Sequence, residues 1–179
     1  MKLVIEPLDP LRHDRAGFSC GVEQVDNFFK RTANKLAAAD NLRVFVMTAG
    51  TAEVIGFYAL NAHAVDYQDL PSRYGRSRPG HGSIPAAYIS MIGVDSRHAG
   101  HGYGSDLLID ALSKIAAAGE GIGIAVVMLD VLDDGDSSLV ARRKALYEAY
   151  GFTPLPSNPL RLFLPLATVR AALEAQKRG

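Results

Sequence analysis

The segment AAYISMIGVDSRHAGHGYGSDLLIDAL, residues 86–112, constrains this chain more than any other. Ala86–Val94 is apolar, with β-branched and aromatic residues, and reads as a strand. Gly100, Gly102 and Gly104 follow in alternation. After them Leu107, Leu108, Ala111, Leu112 and Ile115 recur at the spacing of one helix face. A strand that passes into a helix through glycines can bring bare backbone close to a ligand. It also aims the free N–H groups of the first helical turn, and the positive end of the helix dipole, at that ligand. The site so made suits an anion, and phosphate is the natural guest. A tight turn alone would also use glycine, but three in alternation are more than a turn needs. The Walker pattern requires Gly-Lys-Ser/Thr, and HGYGSD has no lysine. The Rossmann pattern G-x-G-x-x-G fails at Ser105, and its loop normally follows the first strand rather than lying past mid-chain.

The rest of the chain supplies a mixed α/β frame. Val22, Val25, Phe29, Ala33 and Leu36 have helical spacing within residues 22–40. Residues 43–49 and 53–60 predict an antiparallel hairpin, and 65–85 predict a long irregular loop rich in proline and glycine. Residues 124–131 have the continuous apolar character of a strand buried on both faces. A helix over 139–150 ends at Gly151, a strand at 161–166 is interrupted by Pro165, and a helix closes the chain. The strand–helix–strand unit from Ala86 to Val131 implies a parallel pair with a right-handed crossover. The expected fold is therefore α/β, a central mixed sheet flanked by helices. With 179 residues it suits one domain.

Charge and cysteine content exclude some functions. Nineteen basic residues balance nineteen acidic ones, which argues against nucleic-acid binding driven by overall charge and leaves local basic patches open. The single cysteine, Cys20, rules out an internal disulfide and a multi-cysteine metal cluster. No stretch is apolar for long enough to span a membrane, and the N-terminus does not read as a signal peptide. A cytoplasmic location is expected.

The motif VDSRHAGHGYGSDLL resembles the acyl-CoA-binding segment of the GCN5-related N-acetyltransferases, usually Q/R-x-x-G-x-G/A. FSCGVEQVDNFF, VIGFYAL, ALYEAYGF and PLRLFLPL fall in the order seen in one branch of that family, which includes toxins acetylating aminoacyl-tRNA. The resemblance implies the acyl-CoA N-acyltransferase fold and transfer of acetyl from acetyl-CoA to a primary amine, without a metal. It places Met91, Ile92, Gly93 and Val94 along the pantetheine arm. It places Arg97, His98, Ala99, Gly100, His101, Gly102, Tyr103, Gly104 and Ser105 around the diphosphate. Two registers fit the motif. One puts Ala99 in the Gln/Arg slot with Gly102 and Gly104 behind it; the other uses Arg97, Gly100 and Gly102. The first keeps the distance from the strand, and Arg97 or His98 then stands in for the missing side chain.

By the same resemblance Tyr147, four residues before Gly151-Phe152, donates to the departing thiolate. Leu139, Leu146, Tyr147 and Tyr150 also form an apolar helical stripe, so a tyrosine filling the core is the competing explanation. His63, His81, His98 and His101 are conceivable bases. An α-amino group, with its pKa near 8, is already partly neutral without one. Arg73, Arg76 and Arg78 form one basic run; Arg142, Arg143 and Lys144 form a second, nearer Tyr147 and so the better candidate for tRNA phosphates. Asp130, Asp133, Asp134 and Asp136 lie just before it and count against an anionic substrate. The partners implied are acetyl-CoA, a tRNA and an antitoxin protein, and a homodimer stays open. A stand-alone acetyltransferase for a small-molecule or protein amine, and a non-catalytic acyl-CoA-binding regulatory module, are the alternatives.

Overall fold

The computed structural model describes residues 2–179. The chain runs β1 (Val4–Pro7), α1 (Glu23–Asn27), a π turn (Phe28–Thr32), α2 (Ala33–Ala38), β2 (Arg43–Thr48), β3 (Gly56–Asp66), a 3-10 turn (Tyr67–Asp69) and α3 (Arg73–Arg76). Then come β4 (Ser83–Val94), a second 3-10 turn (Ser96–His98), α4 (Tyr103–Ala118), β5 (Val126–Asp130), α5 (Ser137–Ala149), β6 (Thr153–Leu155), β7 (Asn158–Pro165) and α6 (Leu166–Arg178). The strands form one seven-stranded sheet in the order β1-β2-β3-β4-β5-β7-β6. The pairs β1/β2, β2/β3, β5/β7 and β6/β7 are antiparallel. The Ala125 amide donates to the Pro85 carbonyl at 2.9 Å, so β4 and β5 begin side by side. That is the parallel arrangement a helical crossover through α4 requires, and the sheet is mixed.

The chain divides into two compact units, Met1–Asn61 with Ile89–Ala111, and Ala62–Tyr88 with Leu112–Gly179. The first is built around aromatic rings. Phe29 stacks on Phe57 at 4.2 Å between centroids, Phe28 stacks on the same ring at 6.2 Å, and Phe18 meets both Phe29 and Phe57 edge-on at 5.0 and 5.4 Å. Two sequence-adjacent phenylalanines reach one ring because the helix widens to a π turn there, a local feature that often marks functional regions. Tyr58 is fully buried, and its hydroxyl donates to Asp110 at 2.6 Å. Gly93 permits close packing: a Cβ there would come within 2.9 Å of Val25 and 3.4 Å of Phe57.

The second unit packs Val65, Leu70, Ile84, Met128 and Phe163 into a separate cluster. Val126–Leu129 of β5 are all buried, as their unbroken apolar run predicts. Leu166 and Val169 seat α6.

Several expected boundaries move. The helix at 22–40 is interrupted by the π turn. The hairpin's second strand starts at Gly56 and runs on to Asp66, and β4 starts at Ser83. The loop expected over 65–85 is therefore short. It closes where the Tyr67 amide donates to the Gly82 carbonyl at 3.1 Å, and it holds α3. The last strand begins at Asn158, and β1 and β6 carried no strand expectation. Among the described residues no helix is long and apolar enough to cross a membrane.

Candidate functional site

The glycine loop has the backbone its sequence suggests. Gly100 and Gly102 adopt φ of +82° and +81°, the left-handed region that side chains disfavour. A Cβ at either position would meet nothing within 4 Å, so conformation and not crowding demands glycine there. The Gly102 carbonyl accepts from the Ser105 and Asp106 amides at 3.1 and 3.2 Å, which makes Gly102 the cap of α4. Gly104 lies inside the first turn. The amides of His101, Gly102, Tyr103 and Gly104 find no acceptor among the described residues, leaving them for a ligand. α4 is 16 residues long with Asp106 as its first acidic residue, so the positive end of its dipole faces the loop. Immediately upstream, Met91, Ile92, Gly93 and Val94 are half-buried, whereas Ala86, Ala87 and Ile89 of the same strand are buried. The strand end next to the loop is thus reachable.

The side chains around the loop are committed elsewhere. Arg97 pairs with the buried Asp95, and its Nη1 lies 3.4 Å from Glu53. His98 Nε2 lies 2.8 Å from the same Glu53 oxygen. Neither is free to replace the side chain missing at Ala99. His101 Nδ1 lies 3.1 Å from the carbonyls of both His98 and Ala99; two acceptors make that nitrogen the donor. Its ring stacks on Tyr103 at 5.4 Å.

Tyr147 is placed by the way α5 ends. The Gly151 amide donates to Glu148 at 3.0 Å and the Phe152 amide to Tyr147 at 3.3 Å, with Gly151 at φ +98°. These are the two bonds of a Schellman motif, which brings together the residues at its two ends. Here those residues are Tyr147 and Phe152, whose rings meet edge-on at 6.2 Å. The interval from tyrosine to Gly-Phe is thus a helix-termination signal that fixes the tyrosine. The stripe expected to be a core face is not one: α5 buries no residue, Leu139 and Leu146 are exposed, and Tyr147 is half-buried. Burial pushes the Tyr147 phenol up to about 12, with the nearby Arg143 charge pulling the other way. The hydroxyl has no hydrogen-bond partner among the described residues, unlike Tyr58 and Tyr88, which donate to Asp110 and Asp130.

The two basic runs differ in a way the sequence did not show. Arg143 is bidentate to Asp134, at 3.1 and 3.0 Å, and also donates to the Leu132 carbonyl at 2.9 Å. Lys144 lies 3.9 Å from Glu148, and of this run only Arg142 is exposed and unpaired among the described residues. Arg73, Arg76 and Arg78, by contrast, are exposed and have no carboxylate partner among the described residues. Two of them lie over aromatic rings: Arg78 over Tyr67 at 4.3 Å and Arg73 over Tyr74 at 5.0 Å. Such stacking holds a guanidinium in place without neutralising it.

The acidic segment also has local work. Asp136 caps α5 through the Ser138 and Leu139 amides, and Asp130 holds Arg161 and the Tyr88 hydroxyl. Of the remaining histidines, His63 lies against the Tyr88 ring at 5.2 Å and His81 Nδ1 accepts from the Ser83 amide at 3.2 Å. Among the described residues no group of three or more His, Cys, Asp or Glu could hold a metal ion. Asp95, which carried no sequence expectation, caps the Ser96–His98 turn by accepting from the Arg97 amide; its position between a strand and a short turn was the available signal.

Comparison with known proteins follows the same lines. The family model for the acetyltransferase (GNAT) domain matches residues 40–154. The chain is 66% identical over 174 residues to the probable toxin TacT of Sinorhizobium fredii, covering 96% of each chain. It is 31% identical over 160 residues to the tRNA-acetylating toxin of Mycobacterium tuberculosis, covering 89% of this chain and 90% of that one. The chain belongs to the GNAT family and is an acetyltransferase. Two solved structures have the same fold. AtaT complexed with acetyl-methionyl-tRNAfMet matches with a TM-score of 0.83 at 23% identity, covering 96% of this chain and 99% of that one. AtaTR bound with AcCoA matches with a TM-score of 0.80 at 24% identity, covering 96% and 98%.

Proposed function

We propose that this chain is the toxin of a toxin–antitoxin pair, a single N-acetyltransferase domain spanning residues 1–179. It moves acetyl from acetyl-CoA to the amino group of an aminoacyl-tRNA in the cytoplasm. The observation carrying the donor half is the row of unpartnered amides at His101–Gly104 ahead of a long helix, a ready receptor for the coenzyme's diphosphate. The register with Ala99 in the first slot is favoured by Gly102 being the helix cap. The reachable end of β4, Met91 to Val94, offers backbone for the pantetheine arm. The acceptor half is supported by the likeness to a tRNA-acetylating toxin and by the uncompensated Arg73–Arg76–Arg78 group, which takes over from Arg142, Arg143 and Lys144 as the preferred phosphate contact.

The chemistry asks for little beyond position. The acceptor nitrogen attacks the thioester carbonyl, a C–N bond forms, and the C–S bond breaks with its electron pair left on sulfur. Tyr147 donates its proton to that sulfur. A phenol near 12 does not ionise spontaneously to protonate a thiolate whose acid is near 8.5. The transfer is therefore coupled to loss of a proton from the attacking nitrogen, whose acidity rises as the bond to carbon forms. That proton returns to the phenol, and free thiol and amide leave. No dedicated base is required, since the acceptor amine is partly neutral at the outset. The test is transfer of labelled acetyl onto charged tRNA, free amino acids and simple amines by wild type and Tyr147→Phe. Thiol release with amines but never with charged tRNA would overturn the tRNA assignment; no thiol release with any acceptor would overturn the enzyme.

A further inference from the structure

Whatever holds the glycine loop in shape lies upstream of it. The Asp95 side chain is 1% exposed. It accepts from the Ser19 amide at 3.0 Å, the Arg97 amide at 2.9 Å, Arg97 Nε at 2.9 Å and Arg97 Nη2 at 3.0 Å. Its own amide donates to the Ile55 carbonyl, and the Ser96 amide to the Ser19 carbonyl, both at 2.8 Å. Arg97 Nη2 also donates to the Gly17 carbonyl at 3.3 Å. The turn at Ser96–His98 is thus tied to two distant stretches of chain, 17–19 and 53–55. Among the described residues Gly100 to Gly104 make no hydrogen bond to a distant stretch, and Gly100 and Gly102 have open space around them. A receptor made of main-chain amides binds well only if they already converge, because ordering them on binding costs conformational entropy.

We propose that Asp95 is a positioning residue for acetyl-CoA: through Arg97 and Ser19 it fixes the turn that aims the Gly100–Gly104 amides at the diphosphate, without touching the ligand. Arg97 on this view is a strut. The proposal rests on the acetyl-CoA reading given above. Loss of the charge loosens the turn, so the donor's affinity falls while the bound complex reacts at its normal rate.

The decisive variant is Asp95→Asn, which keeps shape and removes charge. Its dissociation constant for acetyl-CoA is measured by calorimetry, and KM for donor and acceptor separately, well below its unfolding temperature. The donor constants are expected to rise about tenfold, with kcat and the acceptor KM unchanged. Equal donor affinity in a folded variant would overturn the proposal. Arg97→Gln alters a side chain that is 57% exposed and therefore tolerates substitution should Asp95→Asn not fold. It is expected to weaken the donor similarly, and the double variant no further than either single one, as for residues acting as a unit. The salt dependence of donor binding separates a strut from a ligand contact. It stays unchanged in Arg97→Gln if Arg97 is a strut, and flattening would overturn that role. Wild type that binds no acetyl-CoA removes the donor reading and this proposal with it; wild type that binds while Asp95→Asn binds equally well removes the proposal alone.

Discussion

The Phe152 amide donates to the Tyr147 carbonyl at 3.3 Å while their rings meet edge-on at 6.2 Å. One helix ending thereby holds both backbone and ring of the proposed acid. Gly151 makes it possible by taking φ +98°, so Gly151→Ala is expected to cost roughly 1–2 kcal/mol in urea unfolding. It is also expected to lower kcat in the fraction that remains folded. A loss confined to stability would mean that Tyr147 is held by something other than this ending.

Tyr147→Phe removes only the hydroxyl from a residue with no internal hydrogen-bond partner among those described. Stability is expected to hold or rise slightly, because no buried partner is left unsatisfied. The rate constant kcat for acetyl transfer is expected to fall about a hundredfold, in the range for loss of a general acid. KM for acetyl-CoA should barely change. Steady-state kinetics with thermal melts read all three.

The phenol stays protonated below its raised value of about 12. Transfer rate is therefore expected to climb as the acceptor amine loses its proton near pH 8 and then to level off. A descending limb between pH 8 and 10 would point to a different acid, one with an ordinary or lowered value.

Arg73→Gln, Arg76→Gln and Arg78→Gln are expected to weaken binding of charged tRNA and to reduce its salt dependence. The slope should fall by about 0.9 for each duplex phosphate that is no longer neutralised. Arg143→Gln should act differently. It breaks a bidentate pair with Asp134 and a bond to Leu132, so it should destabilise α5 and leave the salt slope unchanged. Filter binding across a salt series distinguishes the two groups.

Asp95 also sets an acid limit. Burial alone would raise its pKa, but the Arg97 guanidinium and the Ser19 and Arg97 amides outweigh that and bring it to about 2, below its ordinary 3.8. A depressed carboxyl stabilises the fold above its unfolded pKa and loses that contribution as pH falls through its folded one. About 2 kcal/mol is expected to disappear between pH 4 and pH 2, and Asp95→Asn should show a flatter fall over that window. Urea unfolding at successive pH values checks this.

The elements that could be read from sequence were those with a local signature. The Arg43–Thr48 strand, the apolar run of β5 and the glycine-to-helix junction each carry periodicity or turn chemistry within a few residues. β1, with sequence VIEP, and β6, with sequence TPL, do not. Each is four residues or fewer and each contains a proline; β1 exists because the distant β2 completes its hydrogen bonds, and β6 because it folds back on the next strand, β7. The extra length of β3 and β4 has the same origin. At the site, the glycines stood out because backbone conformation leaves a mark on residue order, whereas Tyr147 was singled out only by the family resemblance, its position alone being equally suited to a core-filling ring. The difference between the two basic runs left no such mark, because it depends chiefly on whether Asp134, nine residues before Arg143, folds back within its reach. Asp95 was equally silent, as three of its four bonds use Arg97 nearby but the fourth comes from Ser19.

The π turn at Phe28–Thr32 carries one residue more than a regular helix would need, and that surplus sets an angle. The wider turn absorbs that residue locally, so the helix faces on either side keep their aim. Were the same residues wound evenly instead, everything before the turn would swing by about 100° around the axis. Val25 would rotate off the notch at Gly93, and the first helix would lose its seat on the very strand end that leads into the glycine loop. A substitution that forced even winding, far in sequence from any group engaged in acetyl transfer, would thus unseat the wall beside it.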